Sequence, residues 1–166
     1  MEKGIPVISE IEFTVQFTNT KTIGITGSNG KTTTTMLTYH LLKEAGLNVG
    51  LAGNIGKSFA WQVAEENFDV YVLELSSFQL DGIINYKPNI AIITNISPDH
   101  LDRYDYNYDN YIASKFRITM NQDENDYLSY DNDDEAISNW LQNNKTKAQL
   151  IPFSLLEKMK NGAFIN

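Results

Sequence analysis

Short apolar runs alternate along this chain with longer segments in which apolar residues return every three or four positions. The runs at 22–26 (TIGIT), 48–52 (NVGLA), 69–75 (containing VYVLEL), 90–95 (IAIITN), 126–130 and 149–153 read as strands. The segments at 33–45, 58–66, 108–120 and 133–143 read as helices. The first of these takes its stripe from Met36, Leu37, Leu41 and Leu42 and stops at Gly46; the last takes its face from Ile137, Trp140 and Leu141. Strands that are apolar at nearly every position need cover on both sides, so the expected fold class is α/β, a mostly parallel doubly wound sheet. Ile11, Phe13, Val15 and Phe17 alternate like a strand. However, Ser9 and Glu12 make a capping box flanked by Ile8 and Phe13 as a staple, and a short helix is expected there. Residues 160–166 read as a turn entering a strand that stops, which suggests an excised piece.

The junction of the first strand and first long helix carries the clearest chemistry. Residues 26–33 read TGSNGKTT. Glycines let a turn wrap tightly enough for its N–H groups to face phosphate oxygens, and the helix start behind it adds partial positive charge. Gly27, Ser28, Asn29, Gly30, Lys31, Thr32 and Thr33 are therefore the candidate nucleotide-binding set of a P-loop NTPase-like domain. Lys31 would neutralise the β- and γ-phosphate oxygens and Thr32 would offer a hydroxyl to Mg²⁺. The pattern departs from GxxxxGK[ST], because Ile25 stands five before Gly30 and the nearest glycines are Gly24 and Gly27. The motif alone says phosphate loop, not which one.

Composition narrows the partners. With 166 residues and 42% hydrophobic content, one compact domain over 1–166 is expected. A formal net charge of −8 argues against nucleic acid and anionic membranes as partners, so an anionic ligand must be met by a local site with metal ions. No run of 18 apolar residues and no basic, apolar leader occurs, and a cytoplasmic location is expected. The absence of cysteine excludes disulfides and Cys-ligated zinc. The acidic stretches at 123–126 and 131–135 read as solvated turns; the second lacks the glycine and distal glutamate of a calcium loop.

In a doubly wound sheet, ligands gather at the carboxyl ends of the strands. Four segments fall there: the phosphate loop, GNIG at 53–56, Glu74 and residues 95–100. Glu74 is placed to take the Mg²⁺ that Thr32 holds, or merely to cap a helix. Ser76, Ser77 and Gln79 would hydrogen-bond a polar substrate, or only form a turn. His100 would ligate a metal with Asp99 or Asp102 orienting its ring, or sit as a surface histidine in an acidic loop. His40 reads as packing or surface. Lys115 taken alone is an ordinary helix lysine.

TGSNGKTT, GNIG, ELSSFQL, NISPDHLDRY and SKFRI, in this order and spacing, resemble the central ATP-binding domain of the Mur ligases. Within that family they are most similar to the ligases that add D-glutamate to UDP-N-acetylmuramoyl-L-alanine. The resemblance covers most of the chain. It implies an ATP-dependent, amide-forming reaction through an acyl phosphate, with ATP, two Mg²⁺ ions and small-molecule substrates, and a monomer. It further implies that Gly27, Asn29, Gly30 and Lys31 cradle phosphates, that Thr32 and Glu74 hold the first Mg²⁺, and that Asn54, Ser76 and Gln79 line the muramoyl-alanine site. His100 would help hold the second Mg²⁺. Lys115 matches a lysine carbamylated by CO₂, which makes it an anionic metal ligand and, with Lys31 and His100, part of the catalytic set. The flanking uridine- and D-glutamate-binding domains and a GKHNxxN-like element of that family are not in this sequence, so the expectation is a truncated domain without ligase activity of its own. The alternatives are another Mur or folylpolyglutamate-type ligase and a stand-alone nucleotide-binding module.

Overall fold

The computed structural model describes residues 7–165. The elements follow as α1 (Glu10–Thr14), β1 (Lys21–Thr26), α2 (Lys31–Glu44), β2 (Val49–Gly53), α3 (Phe59–Glu65), β3 (Val70–Glu74), α4 (Ser77–Asp81), β4 (Ile90–Ile93), α5 (Tyr108–Phe116), β5 (Tyr127–Asp131), α6 (Glu135–Asn143), β6 (Gln149–Ser154) and β7 (Ala163–Phe164). The strands form one seven-stranded sheet in the order β2-β3-β1-β4-β5-β6-β7. Every pairing is parallel. The expected α/β class holds, and the strand expected near the end of the chain is the two-residue β7.

The strand order decides where a ligand belongs. From β1 the chain passes over β3 to reach β2, whereas from β4 it moves the opposite way to β5. The carboxyl ends of β1 and β4, adjacent in register from Ile23↔Ile90 to Thr26↔Ile93, therefore diverge into a crevice. Both the phosphate loop and the segment after β4 open into it.

Period-two alternation splits the strands between two cores. Tyr71, Leu73, Leu75, Ala91, Ile93, Leu128 and Tyr130 pack with Ile11, Phe59, Leu80, Tyr111, Phe116 and Ile137. Ile23, Ile25, Val49 and Val72 form a smaller cluster with Tyr39 and Leu42 of α2. Here one expectation fails. Of the stripe read from Met36, Leu37, Leu41 and Leu42, the first three are 46%, 55% and 58% exposed and only Leu42 turns inward, beside Thr35 and Tyr39. The phosphate loop sets the phase of the helix: Lys31 must fold back on the loop, and residues four, eight and eleven further on share its face.

The capping box also forms only in part. Ser9 accepts from the Glu12 N–H, but Glu12 turns away from Ser9. Its buried carboxylate accepts from the N–H groups of Ile84, Asn85 and Tyr86 and from the Asn85 side chain. Burial acts to raise the pKa of Glu12, but these hydrogen bonds outweigh it and hold the carboxyl below its usual range. The short helix is present, fastened by a long-range contact that local spacing does not reveal. The acidic turns are likewise less solvated than expected. Asp126 is buried beside Lys87, and Asp134 caps α6 while accepting from the Ile96 N–H at 2.7 Å. Among the described residues, no helix is long and apolar enough to cross a membrane.

Candidate active site

The phosphate loop is held from behind. Ser28 and Asn29 donate their N–H groups to the Asn95 carbonyl at 2.8 Å and the Asn95 Oδ1 at 2.9 Å, while Thr94 Oγ1 and Asn95 Nδ2 donate to the Asn29 carbonyl. Ser28 Oγ donates to the Ser97 carbonyl and accepts from the Ser97 N–H. Gly30, in the left-handed region at φ 78°, then starts α2 with no side-chain cap, so the first N–H groups of the helix have no intrahelical acceptor. An anion can fill that role. Thr32 and Thr33 lie exposed on this first turn.

Lys31 folds back so that Nζ donates to the carbonyls of Gly27 at 2.8 Å and Ser28 at 2.9 Å. Lys115, in the last turn of α5, reaches the same Gly27 carbonyl at 2.8 Å and is only 2% exposed. Burial, helped by the neighbouring Lys31 ammonium and opposed by Asp99 and Asp81, brings its pKa down to about 7. Near neutral pH a large share of this amine is therefore unprotonated and nucleophilic. Tyr111, one turn earlier, lies with its ring 5.1 Å from Lys115 Nζ and its hydroxyl 3.0 Å from Ser28 Oγ.

Glu74 ends β3, 2% exposed. Its Oε1 accepts from Asn54 Nδ2 at 3.0 Å, and its buried Oε2 has no partner. A carboxylate oxygen left bare in this way is costly unless a cation meets it, so Glu74 fits a metal site. Among the described residues no three His, Cys, Asp or Glu side chains cluster as a metal set. An ion here would take its other ligands from hydroxyls, phosphate oxygens or a modified lysine.

The remaining expected residues are placed unevenly. Asn54 is engaged with Glu74, through its side chain and through its N–H to the Glu74 carbonyl. Ser76 and Gln79 form the capping box of α4, a helix that the hydrophobic pattern did not show; the Ser76 N–H and hydroxyl both donate to Gln79 Oε1. Ser76 is thus occupied structurally, as is the Gln79 side-chain oxygen. His100 takes a left-handed backbone at φ 49° and is 57% exposed, with Nε2 3.5 Å from Asp99 Oδ2 and its ring 5.5 Å from that of Phe78. That salt-bridge distance is too long for a good hydrogen bond. Asp102 has no recorded bond to the ring.

A cavity of about 200 Å³ is lined by Lys31, Asn54, Ser76, His100 and Lys115, with Phe78 and Tyr111 at its walls. It falls below the roughly 300–1,000 Å³ of a small-molecule pocket, so a whole nucleotide does not fit inside it. Thr32, Glu74 and Gln79 lie outside its lining. A larger cleft of about 520 Å³ between α5 and α6, walled by Tyr108 and Trp140, holds none of the expected residues. Thr94 and Tyr111 escaped the sequence reading, and Asn95 entered it only as the first residue of the segment 95–100, with no role of its own. Tyr111, one helical turn before Lys115, and Asn95, at the end of an apolar strand, were the available signals.

Comparison with known proteins agrees with this geometry. The Mur ligase middle domain matches residues 25–165. A UDP-N-acetylmuramoylalanine–D-glutamate ligase of Christiangramia forsetii is 63% identical over 99% of the chain, and one of Bacteroides fragilis is 57% identical over 99%. The chain spans 37% of the length of each. Among solved structures, a Thermotoga maritima MurF ligase in complex with ADP aligns with a TM-score of 0.65 and 22% identity, over 87% of this chain and 35% of that one. E. coli FolC in complex with DHPP and ADP aligns at 0.65 and 17%, over 92% and 48%. At these identities the likeness speaks for the fold. With a strand-to-helix phosphate loop, a buried lysine on its carbonyl and this match across most of its length, the chain belongs to the Mur ligase middle-domain family.

Proposed function

We propose that this domain binds the triphosphate of ATP in a ligase that adds D-glutamate to UDP-N-acetylmuramoyl-L-alanine. A substrate carboxylate oxygen attacks the γ-phosphorus and ADP leaves; the amine of D-glutamate then attacks the acyl phosphate, loses a proton and displaces phosphate. Both steps bring anions together, so positioning and positive charge carry the catalysis. The observation that supports this best is the meeting of Lys31 and Lys115 on one carbonyl of the phosphate loop.

In this reading Lys31 leaves the Gly27 and Ser28 carbonyls to face phosphate oxygens, and the first N–H groups of α2 take the rest. The neutral Lys115 amine adds to CO₂, forming an N–C bond and releasing one proton to solvent, and so becomes an anionic carbamate. Mg²⁺, when bound, supplies charge between carboxylate and triphosphate; Glu74, Thr32, His100 and the Lys115 carbamate are the groups that would hold two ions. Asn54 orients Glu74, and Ser76 and Gln79 present α4 to the muramoyl-alanine end of the substrate.

In a full-length ligase carrying this domain, Lys115→Ala abolishes D-glutamate-dependent ADP release, and a short carboxylic acid restores part of it. Unchanged activity removes the carbamate role. Stimulation by a different amino acid moves the assignment to another ligase of the family, and ATP hydrolysis that ignores every amino acid favours a stand-alone nucleotide-binding module.

A further inference from the structure

Asn95 stands at the crevice where β1 and β4 part, and its side-chain amide pairs with the backbone of Asn29 as a neighbouring strand would. Oδ1 accepts from the Asn29 N–H at 2.9 Å and Nδ2 donates to the Asn29 carbonyl at 2.9 Å. Its own carbonyl accepts from the Ser28 N–H at 2.8 Å. The preceding Thr94 hydroxyl adds a 2.7 Å bond to the Asn29 carbonyl. The consequence concerns which donors are left. A glycine-rich phosphate loop is normally credited with offering its own N–H groups to the ligand, but those of Ser28 and Asn29 are already spent on Asn95. The donors that remain are the N–H groups of Gly27 and Gly30, the first N–H groups of α2 and, once it leaves the Gly27 and Ser28 carbonyls, the Lys31 ammonium.

We propose that Asn95 is a positioning residue that clamps the phosphate loop at Asn29, turning the Ser28 and Asn29 N–H groups toward the sheet and the start of α2 toward the phosphates. Asn95 need not touch the nucleotide. It acts through Asn29, and its amide is the one side-chain type that supplies an acceptor and a donor in the same plane to one residue's N–H and C=O. Asp does not substitute, because a carboxylate oxygen would then face the Asn29 carbonyl. The inference rests on the phosphate-binding reading above for its functional meaning, while the clamp itself is a statement about the loop.

The test uses this chain with Asn95→Ala and, should that variant fail to fold, Asn95→Asp, which keeps the acceptor for the Asn29 N–H. Amide hydrogen exchange separates positioning from general stability. The clamp predicts that Asn29 and Ser28 exchange about tenfold faster in Asn95→Ala while core amides of β1 and β3 keep their rates, as expected when one local hydrogen-bonded unit opens. Equal acceleration everywhere, or none at Asn29, overturns the proposal. In parallel, Mg·ADP titrated by calorimetry is expected to bind the variant about tenfold more weakly, with the wild-type affinity unchanged in a surface control, Leu156→Ser. If exchange at Asn29 responds and wild-type chain binds no Mg·ADP, the clamp stands and the phosphate-binding reading falls. If Mg·ADP binds both forms equally, the clamp has no role in binding and the proposal is overturned.

Discussion

Lys31 and Lys115 reach the same carbonyl from two different helices, and almost everything else about them differs. Lys31 sits at the first position of α2, three and four residues from the carbonyls it contacts, so its place follows from local chain geometry. Lys115 comes from α5, 88 residues along the chain from Gly27, and arrives there buried. Lys31 belongs to a motif that any reader of the chain would mark. Lys115 looks like a surface helix lysine until α4, α5 and the loop are packed together. Two identical side chains therefore part ways: Lys115 is pushed toward neutrality by burial and by the Lys31 ammonium beside it. Chemistry that needs a nucleophilic amine beside a cation can be built from a single residue type when one copy is taken out of water.

The sharpest way to break this pairing is at the carbonyl they share. A Cβ on Gly27, whose φ is 147°, would lie 2.0 Å from Thr94 Oγ1 and 3.0 Å from the Asn95 carbonyl. Gly27→Ala is therefore expected to cost about 3 kcal/mol or more, read by urea unfolding. Gly30→Ala, at φ 78° with open space around it, is expected to cost only about 1–2 kcal/mol, the backbone term alone. Equal costs would mean that Thr94 and Asn95 do not press on the loop.

The second test is the titration of Lys115. Its folded pKa of about 7 lies below the ordinary 10.5, so the folded chain holds fewer protons than the unfolded chain between those values, and stability must rise with pH across that window. Below pH 7 both states carry the charge and the penalty is present in full. Relative to Lys115→Met, the wild type is expected to gain roughly 3 kcal/mol between pH 7 and pH 9.5 in CO₂-free buffer, with urea unfolding as the measure. Lys31→Met removes the neighbouring ammonium and is expected to raise the Lys115 pKa in a ¹³C NMR titration. A flat difference across pH would return Lys115 to the class of ordinary lysines.

The smallest effect belongs to the outer face of α2. Met36→Lys and Leu41→Lys should each change stability by no more than about 0.5 kcal/mol, because both residues are exposed. A loss of 2 kcal/mol in thermal or urea unfolding would mean that this face is packed after all, and that the phosphate loop does not set the phase of the helix.

Much of the architecture was legible because strands apolar on both faces can only lie between two layers, and because glycine, lysine and threonine between a strand and a helix leave few alternatives. The legible items were nearly all local. Ser9 and Glu12 had the spacing of a capping box, yet Glu12 found three backbone donors at 84–86, a better bargain for a buried carboxylate than one at Ser9. Met36, Leu37 and Leu41 had the spacing of a buried stripe, but spacing defines a face without saying which way it turns. α4 was hidden because five residues are too few to show a helical period. Asn95 was marked only as the start of a strand-end segment, because its pairing with Asn29 joins residues 66 positions apart and an asparagine ending a strand is otherwise an ordinary turn residue.

Chain order and residue type were enough to settle the layered α/β class, the strand segments and the phosphate loop, because each depends on interactions within a few residues or on the simple need to bury apolar surface. Folding in three dimensions decided the rest: which face of α2 is covered, that Glu74 keeps a bare oxygen beside Asn54, and that Lys115 is dry and next to Lys31. A pKa or an orphaned acceptor depends on desolvation and on partners tens of residues away, and neither exists until the layers close.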